Sequence, residues 1–266
     1  MRFKCKKIIL DNIQLYPSDT YGATVEGVFD FDKSVSLSDT VMDGSVYGYS
    51  KINAKNINLR IIVKNKDDIR SHLTIQNLIS KRKNILTLEY DYLGLVQIEV
   101  VATSKSMSND FGGVTSVVFT APDPFLYTEV EILQLGVEFS SGLRFPFTFP
   151  FKFEGGTTGQ VGQIENKGFV DAYPVIYIYG ACKNFTLTNE TTGQTNTFNR
   201  TLGDNDVLKI DCRPNSLGIY LNNVKESNQN ITFYNCSTGS NSWRFTRDTP
   251  LESVRNCKIN LQSRIL

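Results

Sequence analysis

Short runs that step between apolar and polar positions fill the first half of the chain. Phe3 to Leu10, Ala23 to Phe29, Ile57 to Val63, Ile85 to Tyr90, Val96 to Ala102 and Val114 to Phe119 are rich in β-branched and aromatic residues. Such segments predict strands of a sheet or sandwich. One stretch breaks the pattern. Lys66 to Lys83 has no Gly or Pro, opens on Asp67 and Asp68, closes on Lys81, Arg82 and Lys83, and carries Ile69, Leu73, Ile75, Leu78 and Ile79 between. Acids at the start and bases at the end complement a helix dipole, so the stretch predicts a helix. Its broad apolar arc suits packing onto a sheet.

Phe119-Thr-Ala-Pro-Asp-Pro-Phe125 marks a boundary. Proline removes an amide donor and restricts its predecessor, so a strand running from Val114 to Ala121 should stop there. The chain divides into residues 1–130 and 131–266, with the body of the second domain opening near Val137. There, Leu143, Phe145, Phe147, Phe149, Phe151 and Phe153 share one parity, and Pro146 and Pro150 fall on the other. In an extended chain every Phe would lie on one face, and the prolines would hold the segment at an edge or as a clamp.

Further short strands are expected at Gln160 to Ile164, Pro174 to Tyr179, Asn184 to Leu187, Asp206 to Ile210, Gly218 to Leu221, Ile231 to Phe233 and Cys257 to Leu261. Turn signals such as Asn166-Lys-Gly168, Thr191-Thr-Gly193 and Leu202-Gly-Asp204 separate several of them. The fold class is therefore mainly β: an N-terminal β-sandwich or sheet domain with one helix, and a C-terminal antiparallel β-sandwich.

Charge narrows the partners. Lys and Arg total 28 against 27 acids, a net charge of +1, which leaves no cationic excess for a phosphate backbone. The apolar run at Ile8 to Leu10 is too short for a signal-peptide core, and no stretch is long enough to cross a bilayer. A soluble protein made in a cytoplasm, without membrane insertion, is expected. Cys5, Cys182, Cys212, Cys236 and Cys257 are odd in number and lack a C-x-x-C pair. They read as reduced thiols, with a disulfide in the C-terminal half as the alternative.

Chemistry is sparse. His72 is the sole histidine and sits in the expected helix, which is poor material for a triad or a transition-metal site. Gly155 to Gly162 resembles a phosphate loop but lacks a following Lys-Ser or Lys-Thr, so it reads as a β-turn region. The N-x-S/T triplets at Asn184, Asn189, Asn199, Asn230 and Asn235 read as turn and strand-face composition. Trp243 and Tyr220, with Tyr234 near, could form a stacking platform for a glycan; the competing reading makes the single Trp a core residue. No catalytic, metal or cofactor-binding residue is assigned, and no cofactor is expected.

Taken in order, several segments resemble the distal tail protein (Dit) family of siphophages and prophages. They are Asp43-Gly44 ahead of Leu59-Arg-Ile-Ile-Val63, Phe119-x-Ala-x-Asp-Pro-Phe-Leu-Tyr127, and the alternating Leu143 to Phe153. They continue with Asn166-x-Gly168, Pro174-Val-Ile-Tyr-Ile-Tyr-Gly180, and Asn184-Phe-Thr-Leu-Thr-Asn189 with Thr192-Gly193. The resemblance implies a structural baseplate protein at the virion tail tip, not an enzyme. Its first domain would form a hexameric ring, and its second would be a galectin-like sandwich. The implied partners are further copies of itself, the tail tube protein, and the tail-associated lysin, tail fibre and receptor-binding proteins, with DNA only in transit. The alternatives are a carbohydrate-binding adhesin using Trp243 or Tyr220, a glycan hydrolase, for which no acid pair stands out, and the tube protein itself.

Overall fold

The computed structural model describes residues 4–39, 45–65, 67–108, 113–136, 159–227, 231–248 and 257–266. It divides the chain into two units, Met1–Glu129 with Ile265–Leu266, and Val130–Arg264.

The first unit carries β1 (Cys5–Leu10), β2 (Ile13–Tyr16), β3 (Tyr21–Glu26), β4 (Lys33–Asp39), β5 (Ser45–Ile52), β6 (Lys55–Val63), α1 (Ile69–Ile79), β7 (Asn84–Tyr90), β8 (Gly94–Ser108), β9 (Val114–Ala121) and β10 (Leu126–Thr128). Seven strands form one antiparallel sheet in the order β2-β1-β7-β8-β9-β6-β3, and β10 pairs with β8. In β6 the alternation from Lys55 to Val63 is complete: Ile57, Leu59, Ile61 and Val63 are buried, and Asn56, Asn58, Arg60 and Ile62 are exposed. Each such burial contributes roughly 1.5–3 kcal/mol. The strand into the proline boundary spans Val114–Ala121 as expected.

The helix is shorter than the sequence suggested. Asp68 caps it, accepting from the Ser71 amide at 3.2 Å, and Ser80 ends it, so Lys81, Arg82 and Lys83 lie beyond its last turn. Ile75, Leu78 and Ile79 pack into the core, whereas Ile69 and Leu73 do not. The strands β4 and β5 pair only with each other, as a separate two-stranded sheet.

The second unit is a two-sheet sandwich. One sheet runs β11 (Glu131–Leu135), β20 (Cys257–Leu261), β13 (Val175–Tyr179), β16 (Val207–Asp211), β17 (Gly218–Leu221) and β18 (Val224–Lys225). The other runs β12 (Gly159–Asn166), β19 (Gly239–Arg247), β14 (Cys182–Asn189) and β15 (Gln194–Leu202). The final strand, β21 (Arg264–Ile265), pairs with β10, and Ile265 is buried in the core of the first unit.

Ile231 to Phe233, expected as a strand, is not one. Side-chain amides on β15 satisfy this segment instead: the Thr232 amide donates to Asn196 Oδ1 at 2.8 Å, and Asn196 Nδ2 donates to the Thr232 carbonyl at 2.7 Å. Gln194 likewise serves Phe233 and Asn235. Gly162 lies in β12, the strand expected over Gln160 to Ile164, which overrides the turn reading of residues 159–162, while residues 155–158 lie outside the described residues. A Cβ on Gly162 would approach the terminal methyls of Leu133 and Leu135 to 2.8 Å, so a side chain there would make both shift. The alternating Leu143 to Phe153 segment and Asp43-Gly44 lie outside the described residues.

Candidate functional site

Trp243 sits on β19 with no exposed surface. Asn241, Trp243, Phe245 and Arg247 share the buried parity of that strand. The indole packs on Tyr234, ring centroids 5.1 Å apart, and the Tyr234 hydroxyl donates to the Leu187 carbonyl at 2.7 Å. A ring without an exposed face cannot stack on a sugar, so Trp243 is a core residue. The alternation Asn241-Trp243-Phe245 is the signal that identifies it as one. Tyr220, on β17, is half-buried, with the Lys209 ammonium 5.1 Å from its ring centroid. Trp243 and Tyr220 therefore do not form a shared platform.

His72 is half-buried on α1, and its ring lies where a Cβ on Gly113 would be 2.6 Å away. Among the described residues no cluster of three His, Cys, Asp or Glu could hold a metal. All five thiols are free in the structure. Burial pushes Cys212 and Cys236 up to about 12 and Cys182 up to about 11, which removes the thiolate that nucleophilic or redox chemistry needs. Among the described residues no helix is long and apolar enough to cross a membrane.

Of the segments that carry the family resemblance, Leu59–Val63, Val175–Tyr179 and Asn184–Asn189 lie in strands, and three others are turns and clasps. Asp123 accepts from the Phe125 amide at 3.2 Å and the Tyr127 hydroxyl at 2.6 Å, closing the Pro-Asp-Pro corner. Buried Asn166 accepts from the Gly168 amide and donates to the Val170 and Cys236 carbonyls, and a Cβ on Gly168 would meet the Arg264 carbonyl oxygen at 2.1 Å. Asn189 accepts from the Thr191 amide, and Gly193 follows with φ +73°. These residues specify backbone geometry and present no reactive group.

What the first unit does present is surface. A groove of about 630 Å³ runs over the outer face of β3, β6, β9 and β8, lined by Thr24, Glu26, Asn58, Arg60, Ser104 and Ser116 among others. The β4–β5 hairpin exposes Phe31 at its base and Val35, Leu37, Val46, Tyr47 and Tyr49 along its length. A two-stranded ribbon is marginal alone, and this one is anchored at its root. Asn53 donates its amide to the Asp32 carbonyl and its side chain to Asp32 and Ser34, and Lys55 donates to the Val28 carbonyl. Contiguous apolar exposure of this kind marks an interaction surface.

No family model matches the chain, and no curated protein matches it in sequence. Solved structures match its fold. One is the SPP1 Dit protein, described as a paradigm of the hub adsorption apparatus in Gram-positive-infecting phages; its TM-score is 0.65 at 12% identity, over 98% of this chain and 99% of that one. A second is a chain of the phage P2 baseplate in its activated conformation with Ca, with a TM-score of 0.56 at 11% identity over 97% of both chains. The phage p2 baseplate with Sr gives 0.55 at 10% identity, over 96% of this chain and 97% of that one. The resemblance carried by the ordered set of sequence segments is the one the three-dimensional comparison returns. End to end, the chain has the fold of a phage Dit hub protein and of a chain from a phage baseplate.

Proposed function

We propose that this protein is a non-enzymatic structural component of the tail tip of a long-tailed phage or prophage, assembling as a ring of six through its first unit. The observation that carries the reading is the likeness to the SPP1 Dit protein over 98% of the chain, which spans both units. The exposed apolar hairpin supports it, because a surface of that kind suits a protein that works in an assembly. In this role the ring joins the tail tube to the lysin and receptor-binding apparatus, and DNA passes through without binding. A net charge of +1 agrees with that last point. The protein would be made in the bacterial cytoplasm and end at the virion tip. A galectin-like second unit would project from the ring.

The adhesin alternative rests on Tyr220 alone, since Trp243 is buried. Light scattering over a wide concentration range, with negative-stain images of the largest species, tests the assembly reading. Six-membered rings are the expected result, and a monomer throughout counts against self-assembly.

A further inference from the structure

Among the described residues, two apolar surfaces of the first unit stand exposed and differ in shape. The first is one face of the β4–β5 hairpin. Val35 pairs with Ser50, and the bulge after Ser36 brings Leu37 opposite Tyr47, so Val35, Leu37 and Tyr47 share a face at 51%, 61% and 59% exposure. Ser34, Ser36 and Ser38 alternate onto the other face. On that other face Ser36 and Ser38 stand opposite Tyr49 and Val46, which are also exposed, so the ribbon offers apolar surface on both sides. The bonds from Asn53 and Lys55 at its root fix where it projects.

The second surface is the outer face of α1. Ile69, Leu73 and Gln76 fall at i, i+4 and i+7 and so lie in a row. Ile69 is 71% and Leu73 57% exposed, and Gln76 extends the row to Met107 on β8 by a contact of 3.0 Å.

We infer that the Val35–Leu37–Tyr47 face of one copy seats on the Ile69–Leu73–Met107 face of the next copy. A closed ring of identical chains requires two different, complementary patches on every copy, one given and one received. Here one unit carries both a projecting ribbon and a helix face. The charges also match. Asp39 lies toward the hairpin tip and Lys33 at its root, while Asp67 and Asp68 stand at the start of α1 and Lys105 bonds to Gln76 at the far end of the row. Laid with its tip toward Lys105 and its root toward Asp67, the ribbon sets Asp39 against Lys105 and Lys33 against Asp67, with Asp32 at the root held by Asn53. The inference rests on the ring reading and names the surfaces that close the ring.

The test uses the full chain in wild-type form and as Leu37→Asp and Leu73→Asp variants, with circular dichroism to verify folding. Each variant is expected to raise the concentration for half-assembly by about thirtyfold or more, the effect of removing a hot spot of 2 kcal/mol or above. Independently, Leu37→Cys copies mixed with Leu73→Cys copies are expected to form a disulfide-linked heterodimer when air-oxidised, and neither variant alone should. Rings that persist in both Asp variants without that cross-link overturn the inference and leave the ring reading standing. A wild type that stays monomeric, with no cross-link in the mixture, overturns both.

Discussion

The Lys55 ammonium donates to the Val28 carbonyl at 2.6 Å from a side chain only 4% exposed. Burial lowers its pKa from 10.5 to about 8, and Asp30 and Asp123 only partly oppose the shift. The unfolded chain therefore binds the extra proton between pH 8 and 10.5, so the Lys55 contribution to stability rises across that window. At neutral pH the buried charge costs about 3 kcal/mol, at about 1.4 kcal/mol per pH unit.

Lys55→Met removes that cost. The stability of the Met variant relative to wild type should fall by about 2–3 kcal/mol between pH 7 and pH 10 in urea unfolding. A difference that does not change with pH would contradict the assignment of Lys55 as a strained buried cation.

Asp211 behaves in the opposite sense. Burial raises its pKa, but bonds from Arg213 at 2.7 and 2.9 Å, Lys209 and Ser216 outweigh that and bring it from 3.8 to about 2. Its stabilisation is present above pH 3.8 and is lost as the pH falls toward 2. Asp211→Asn should cost about 2 kcal/mol at pH 7 and almost nothing at pH 2, measured by denaturant unfolding.

Arg247 is 4% exposed, and among the described residues its two terminal nitrogens have no hydrogen-bond partner. A buried cation without an acceptor is costly, and an apolar side chain of similar volume removes the cost. Arg247→Met is expected to leave the melting temperature unchanged or raise it by several degrees. A clear drop would indicate that the guanidinium has an acceptor after all.

At Gly162 a Cβ would displace the terminal methyls of Leu133 and Leu135, each 2.8 Å away. Gly162→Val should destabilise the protein by about 1–3 kcal/mol through overpacking. Differential scanning calorimetry would register this as a lower melting temperature, and an unchanged one would argue against the close approach of β11 and β12.

Strong alternation made much of this fold legible in the sequence. Val114–Ala121, Gly218–Leu221 and Cys257–Leu261 run where the pattern put them, and in Cys257–Leu261 a residue faces the core at every second position. Polar strands were harder to read. Gln194–Leu202 and Gly239–Arg247 carry Asn, Thr and Ser on their outer positions, and only Phe198, Trp243 and Phe245 reveal the inward parity. Trp243 reads as a sugar platform in the sequence because aromatic chemistry is visible there and depth is not. The exposed hairpin escaped notice for a related reason: Ser34, Ser36, Ser38 and Gly48 dilute its apolar residues, and no core enforces its alternation. The clasps at Asp123, Asn166 and Asn189 stood out because turns require particular side chains next to particular backbone shapes.

Ile265 fills a place in a core otherwise built from residues 8 to 126. In terms of topology, the sandwich is an insertion within the first unit rather than an appendage to it. During synthesis that core keeps a vacant seat until more than 130 further residues have left the ribosome, so its last packing step waits on a chain segment made long after its other strands.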